Sequence, residues 1–263
     1  MPRISRGTIA NRFFFAYSQI GRDHIDRELP NQDNYAYAYD RETACFAVSD
    51  GLGSCRFSGI GSETASSRIV QEMIRLADAP WNERGILEHF TRSIRSIREE
   101  LDRIARSMPQ TPSISDEFAA TLLFVMIRSN TLFAAQIGDG AIYGITEHGA
   151  SLIVEPFRGS VSNETVPITA FDWETHLRTR FIDLTDSDRY VCLMTDGFAD
   201  PIRRPEVVFG AVSDALACDQ RETFAEWAGD LNEYFEDNGF SRDDKTLLIV
   251  MFSKDDAVPE AGA

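Results

Sequence analysis

Three apolar runs in this chain stop at the same dipeptide: CFAVSDG at Asp50-Gly51, AAQIGDG at Asp139-Gly140 and YVCLMTDG at Asp196-Gly197. Asp-Gly by itself only turns the chain, because glycine supplies positive φ and the carboxylate a local hydrogen bond. Turns explain each ending separately but not the shared ending. Asp33 in PNQDNYAYAY opens another strand-like run, and Asp243 in SRDDKTLLIVMF precedes the last one. If these strand ends converge, five carboxylates meet. Two unit charges about 4 Å apart repel by about 4 kcal/mol at an effective dielectric near 20, so such a cluster requires protons or cations. Oxygen ligands without Cys or His select Mg²⁺ or Mn²⁺ over zinc or copper.

The order of elements says how the ends converge. FFFAYS, NYAYAYD and TACFAVS are short, aromatic and β-branched, and predict strands. Residues 61–78 then take helical spacing with Ser62 as a candidate N-cap. A second helix is predicted over 83–107, where Ile86, Phe90, Ile94, Ile97, Leu101 and Ile104 form a core stripe. MPQTPSISD breaks that helix with two prolines, and ATLLFVMIR, TLFAAQIG and AIYGIT return to strands around a Ser129-Asn130 turn. PEVVFGAVSDALAC and RETFAEWAGDLNEYFED predict a second helix pair before the closing strand TLLIVMF. Like elements are grouped, which excludes a simple alternating βαβ fold and predicts antiparallel sheets covered by helices. One domain is expected over residues 1–253, with a frayed tail at 254–263.

Charge narrows the partners. With 26 basic and 42 acidic side chains the formal charge is −16, which repels nucleic-acid phosphates and anionic membranes. The basic residues of TRSIRSIREELDRIARS alternate with apolar positions and form a solvated helix face. No run reaches the roughly 18 to 20 apolar residues of a membrane span, and the N-terminal stretch lacks a signal-peptide core. Cys45, Cys55, Cys192 and Cys218 contain no CxxC pair and are expected to be reduced, as in a cytosolic chain.

The ordered motifs GRDH, NQD, VSDGLGS, IGDG, MTDG and DDKT resemble those of the metal-dependent serine/threonine protein phosphatases, the type 2C family, over residues 11–252. NETVPIT is similar to the bacterial branch. The resemblance implies an α+β fold: a four-layer α-β-β-α sandwich of two antiparallel sheets flanked by helix pairs. It implies two Mg²⁺ or Mn²⁺ ions, with a third position available. By the same resemblance Asp50 would bridge two ions, the Gly51 carbonyl would ligate one, Asp196 and Asp243 would hold the first, and Asp33 would support the second through water. Asp139, with Asp196, matches the third-metal position. Asp50, Asp196 and His24 are the expected catalytic residues. His24 stands where relatives carry a phosphate-gathering arginine, and Leu52 replaces the general-acid histidine of animal members, so the leaving-group proton would come from metal-bound water or from His24. A variable flap is expected between Gly144 and Asp183.

The implied reaction is direct attack on phosphorus by a bridging hydroxide, without a covalent phosphoenzyme. The implied partner is a phosphoserine or phosphothreonine protein, served by a cytoplasmic monomer. Two alternatives share the sandwich: a non-catalytic binding module, and a hydrolase of small phosphate monoesters.

Overall fold

A six-stranded and a five-stranded antiparallel sheet form the centre of the protein. The computed structural model describes residues 1–10, 12–76, 81–108, 113, 117–146, 148–155, 165–185, 188–202 and 223–252. The larger sheet runs β1 (Arg3–Ile9), β2 (Arg12–Gln19), β11 (Lys245–Met251), β10 (Asp188–Met194), β7 (Ala141–Thr146), β8 (Gly149–Val154). The smaller runs β3 (Asn34–Asp40), β4 (Thr43–Ser49), β5 (Leu122–Arg128), β6 (Thr131–Ile137), β9 (Arg178–Asp183).

Central strands of this fold are apolar without alternation because both of their faces are covered. In β4, Ala44, Phe46 and Val48 face the other sheet, where they join Phe14, Leu193 and Leu248. Cys45 and Ala47 point the opposite way, into a core shared with Ile69 of α2 (Ser58–Met73) and Phe90 and Ile94 of α3 (Glu83–Ser107). The larger sheet is covered on its outer face by α6 (Thr223–Asp237), whose Ala228 and Phe235 pack with Tyr17 and Ile249, while the one-turn α4 (Trp173–His176) leads into β9. The fold is therefore α+β, with sheet on sheet and helices outside.

The predicted α3 matches the observed helix, started by Asn82, whose side chain accepts from Gly85 N at 2.8 Å. The N-cap expected at Ser62 is corrected. Helix α2 starts at Ser58, and Ser62 lies inside it, its hydroxyl donating to Gln32 O and Gly59 O. Three edge strands, β1, β8 and β9, went unanticipated. Arg3 and Arg6 of β1 and Arg178 and Arg180 of β9 interrupt any apolar pattern, as charged side chains do on edge strands, and among the described residues each of these strands pairs on one side only. Consequently the span expected as a flap contains two sheet strands, β8 and β9. The helix expected over PEVVFGAVSDALAC, the fourth cysteine and the tail lie outside the described residues. Cys45, Cys55 and Cys192 are free and buried. No helix among the described residues is long and apolar enough to cross a membrane.

Antiparallel pairing places the aspartates. Asn34 pairs with Ser49, Leu122 with Ile137, and Met194 with both Leu247 and Ala141. The starts of β3, β5, β7 and β11 thus lie beside the ends of β4, β6 and β10, at one end of the sandwich.

Candidate metal centre

Specific hydrogen bonds fix the segment that carries each aspartate. Asp50 follows β4 directly, and Thr121 fixes it: Asp50 N donates to Thr121 Oγ1 at 3.0 Å, and Thr121 N donates to Asp50 O at 2.8 Å. Asp139 sits in the β6–β7 turn, where Gln136 Nε2 donates to Gly140 O at 2.6 Å and Gly138 O at 3.3 Å. Gly138 is required there: its φ is +110°, and an added Cβ would stand 2.5 Å from Thr121 Cβ. The Thr165 hydroxyl donates to Asp139 Oδ2.

On the other sheet, Asp196 opens the short helix α5 (Asp196–Ala199) immediately after β10. The preceding Thr195 joins both sheets. Its hydroxyl accepts from Thr246 N at 2.9 Å and donates to Asp33 Oδ2 at 2.8 Å. Asp243, just before β11, accepts from Asp244 N at 2.8 Å on Oδ1, and Lys245 Nζ donates to its carbonyl at 2.9 Å.

One carboxylate oxygen from each of Asp50, Asp139 and Asp196 falls within 4.8 Å of the others. Asp33 is buried against Asp50, and Asp243 adds its charge to both Asp50 and Asp196. Burial pushes the Asp33 carboxyl up to about 8 and the Asp196 carboxyl up to about 9, the latter helped by Asp50, Asp139 and Asp243. Asp50 rises well above the ordinary carboxylate range, through burial first and Asp33 second. A proton shared between Asp50 and Asp33 would raise the first and lower the second. Without that proton, Asp33 Oδ1 is buried and has no donor among the described residues.

Among the described residues no Lys or Arg side chain forms an ion pair with any of these five carboxylates. Lys245 is directed instead to the Asp243 carbonyl and, at 3.4 Å, to Glu236. Buried oxygen ligands, an orphan acceptor and, among the described residues, no fixed cation fit a hard divalent metal. Gly51 bridges to Ala120, and a side chain on it would meet the Ser58 carbonyl at 2.7 Å.

His24 stands apart from this cluster. It lies on α1 (Arg22–Asp26), 3% exposed, with Nδ1 2.8 Å from Asp244 Oδ2. The structure thus brings together Asp50, Asp139 and Asp196, sets Asp33 and Asp243 beside them, and gives His24 a carboxylate partner. Sequence reasoning missed Thr121, Gln136 and Thr195 as holders of the centre. Thr195 had a visible signal, since it directly precedes the Asp-Gly of its strand; Thr121 and Gln136 had none outside the tertiary contacts.

A family profile described as Protein phosphatase 2C matches residues 20–236. Among solved structures, the serine-threonine phosphatase 2C from Toxoplasma gondii superposes with a TM-score of 0.69 at 13% identity, covering 96% of this chain and 100% of that one. The serine/threonine phosphatase Stp1 from Staphylococcus aureus gives 0.62 at 16% identity, covering 94% and 96%. At these identities the likeness is one of fold. A provisionally named protein phosphatase of Mycoplasma genitalium is 21% identical over 125 residues, which is 48% of each chain. The match therefore spans about half the length of that curated relative.

Proposed function

Because this chain belongs to the protein phosphatase 2C family, matched over residues 20–236, we propose that it hydrolyses phosphoserine and phosphothreonine in proteins. The observation that carries this reading is the convergence of Asp50, Asp139 and Asp196 beside a buried Asp33 oxygen that has no donor among the described residues. In this reading Asp33, Asp50, the Gly51 carbonyl, Asp139, Asp196 and Asp243 hold Mg²⁺ or Mn²⁺, two ions with a third position at Asp139 and Asp196. Bound there, the metal supplies a lowered pKa for water and neutralises charge developing on the phosphoryl oxygens.

The protein's own part is placement. Asp50 and Asp196 come from different sheets, so the ligand spacing is set by sheet packing and locked by Thr195 between Thr246 and Asp33. Thr121 and Gln136 hold the turns of Asp50 and Asp139, so the carboxylates need no rearrangement to receive an ion. His24, oriented through Nδ1 by Asp244, is assigned to the substrate phosphate or the leaving-group proton. The catalytic unit spans residues 1–253 and acts as a cytoplasmic monomer on phosphoprotein substrates.

The test is turnover of a phosphothreonine peptide, an aryl phosphate and a panel of phosphometabolites, each with chelator and with Mn²⁺. Mn²⁺-dependent turnover favouring the peptide is expected. Preference for a metabolite would move the substrate class, and no turnover of any substrate with Mn²⁺ bound would leave a binding module.

A further inference from the structure

Asp244 lies next to a proposed metal ligand, yet both of its side-chain oxygens are taken up by hydrogen-bond donors. It is 2% exposed. Three donors converge on its two oxygens: Gly21 N reaches Oδ1 at 2.7 Å, while Gln32 N at 2.6 Å and His24 Nδ1 at 2.8 Å reach Oδ2. All three belong to the stretch that leaves β2, forms α1 and leads into Asp33. At the same time the backbone N–H of Asp244 donates to Asp243 Oδ1 at 2.8 Å. The close approach is built in, because a Cβ on Gly21 would stand 2.1 Å from the carbonyl carbon of Asp243.

We propose that Asp244 is a positioning residue that staples the segment carrying Asp33 to the loop carrying Asp243. Two metal-ligand segments, one entering the smaller sheet and one entering the larger, are thereby held at one spacing. The inference rests on the metal-centre reading above. A carboxylate is needed because it offers only acceptors to three donors; an amide at this position would turn an NH₂ against an N–H. The same contact sets His24, since a partner that can only accept requires Nδ1 to donate, leaving Nε2 on the side of Gly53, 3.8 Å from where a Cβ there would stand.

The experiment compares the full chain with Asp244→Asn by Mn²⁺ calorimetry, amide exchange at Gly21 and Gln32, and ¹⁵N shifts of His24. Partners one bond removed from metal ligands typically affect metal affinity 10- to 100-fold, so the variant's Mn²⁺ Kd should rise about tenfold. Its Gly21 and Gln32 amides should lose protection, and His24 should lose the Nδ1–H form expected of the wild type, while the folding transition is retained. A folded variant with unchanged Mn²⁺ affinity overturns the proposal. If the variant does not fold, the wild type decides: Gly21 and Gln32 amides exchanging as fast as exposed loop amides overturn the staple, and protected ones support it. A wild type that binds no Mn²⁺ while those amides stay protected overturns the metal-centre reading instead, and with it the positioning role.

Discussion

Two groups of aspartates lie on either side of the loop that contains Arg242, Asp243 and Asp244, and they behave oppositely. Outside, Asp23 and Asp26 are exposed and share Arg242, whose Nε is 2.6 Å from Asp23 Oδ1 and whose Nη2 is 2.7 Å from Asp26 Oδ2. The hydrogen bond to Arg242 holds the Asp23 carboxyl below the usual range. Inside, Asp33, Asp50 and Asp196 are pushed upward by burial first and by neighbouring carboxylates second, and among the described residues no arginine or lysine is paired to them. The residue type is the same; burial and the sign of the neighbouring charge make the difference. A count of acidic residues would not separate these groups, whereas the direction of their shifts does, and it marks the inner group as one suited to binding positive charge.

The strongest way to break this contrast is to remove one inner carboxylate. Asp50→Asn should reduce phosphopeptide turnover to background and shrink the Mn²⁺-induced melting shift, while the metal-free form melts no lower than wild type because repulsion is relieved. For wild type, metal at about 100 times Kd should add about 2.7 kcal/mol of stability. Thermal melts with chelator and with Mn²⁺ check this, and an undiminished shift in the variant would reduce Asp50 to a turn residue.

A second measurement uses pH. The inner carboxyls have folded values near 8 for Asp33 and near 9 for Asp196, above the roughly 4 of an unfolded aspartate. The folded state therefore binds more protons than the unfolded one across that interval. Stability contributed this way is full below about pH 4 and is lost as pH rises towards 9. The metal-free protein should accordingly melt progressively lower between pH 5 and 9, and saturating Mn²⁺ should flatten the decline. Differential scanning calorimetry at fixed ionic strength would reveal it; a metal-free melting temperature that climbs throughout this range contradicts the inner-group assignment.

Smaller effects sharpen the boundary. Gly138→Ala forces a side chain into φ +110° and against Thr121, which should destabilise the protein by about 1–3 kcal/mol in urea titrations. Because this turn presents Asp139, weaker Mn²⁺ binding should accompany the loss. On the outer side, Arg242→Gln should leave the melting temperature and the Mn²⁺ shift unchanged, since exposed ion pairs contribute little. A large effect there would mean that the two groups are not independent.

Much of this was legible along the chain. Spacing alone outlined α3 at 83–107 and the strand Thr43–Ser49, because a repeat of three to four residues, or an apolar run ended by Asp-Gly, is written locally. The aspartates at the ends of β4, β6 and β10 were visible for the same reason. Other features could be decided only by tertiary packing. Strands β1 and β9 owe their pairing to neighbours rather than to an apolar pattern, and Ser62 belongs to the interior of a helix whose start is set elsewhere. The contact of Asp33 with Thr195 crosses 162 residues, and the hold of Asp244 on Gly21 crosses 223. Sequence determines which side chains stand at the strand ends; packing one sheet on the other decides which of them lose water and meet. Burial and proximity shift a carboxyl, and both arise only when distant segments close around it.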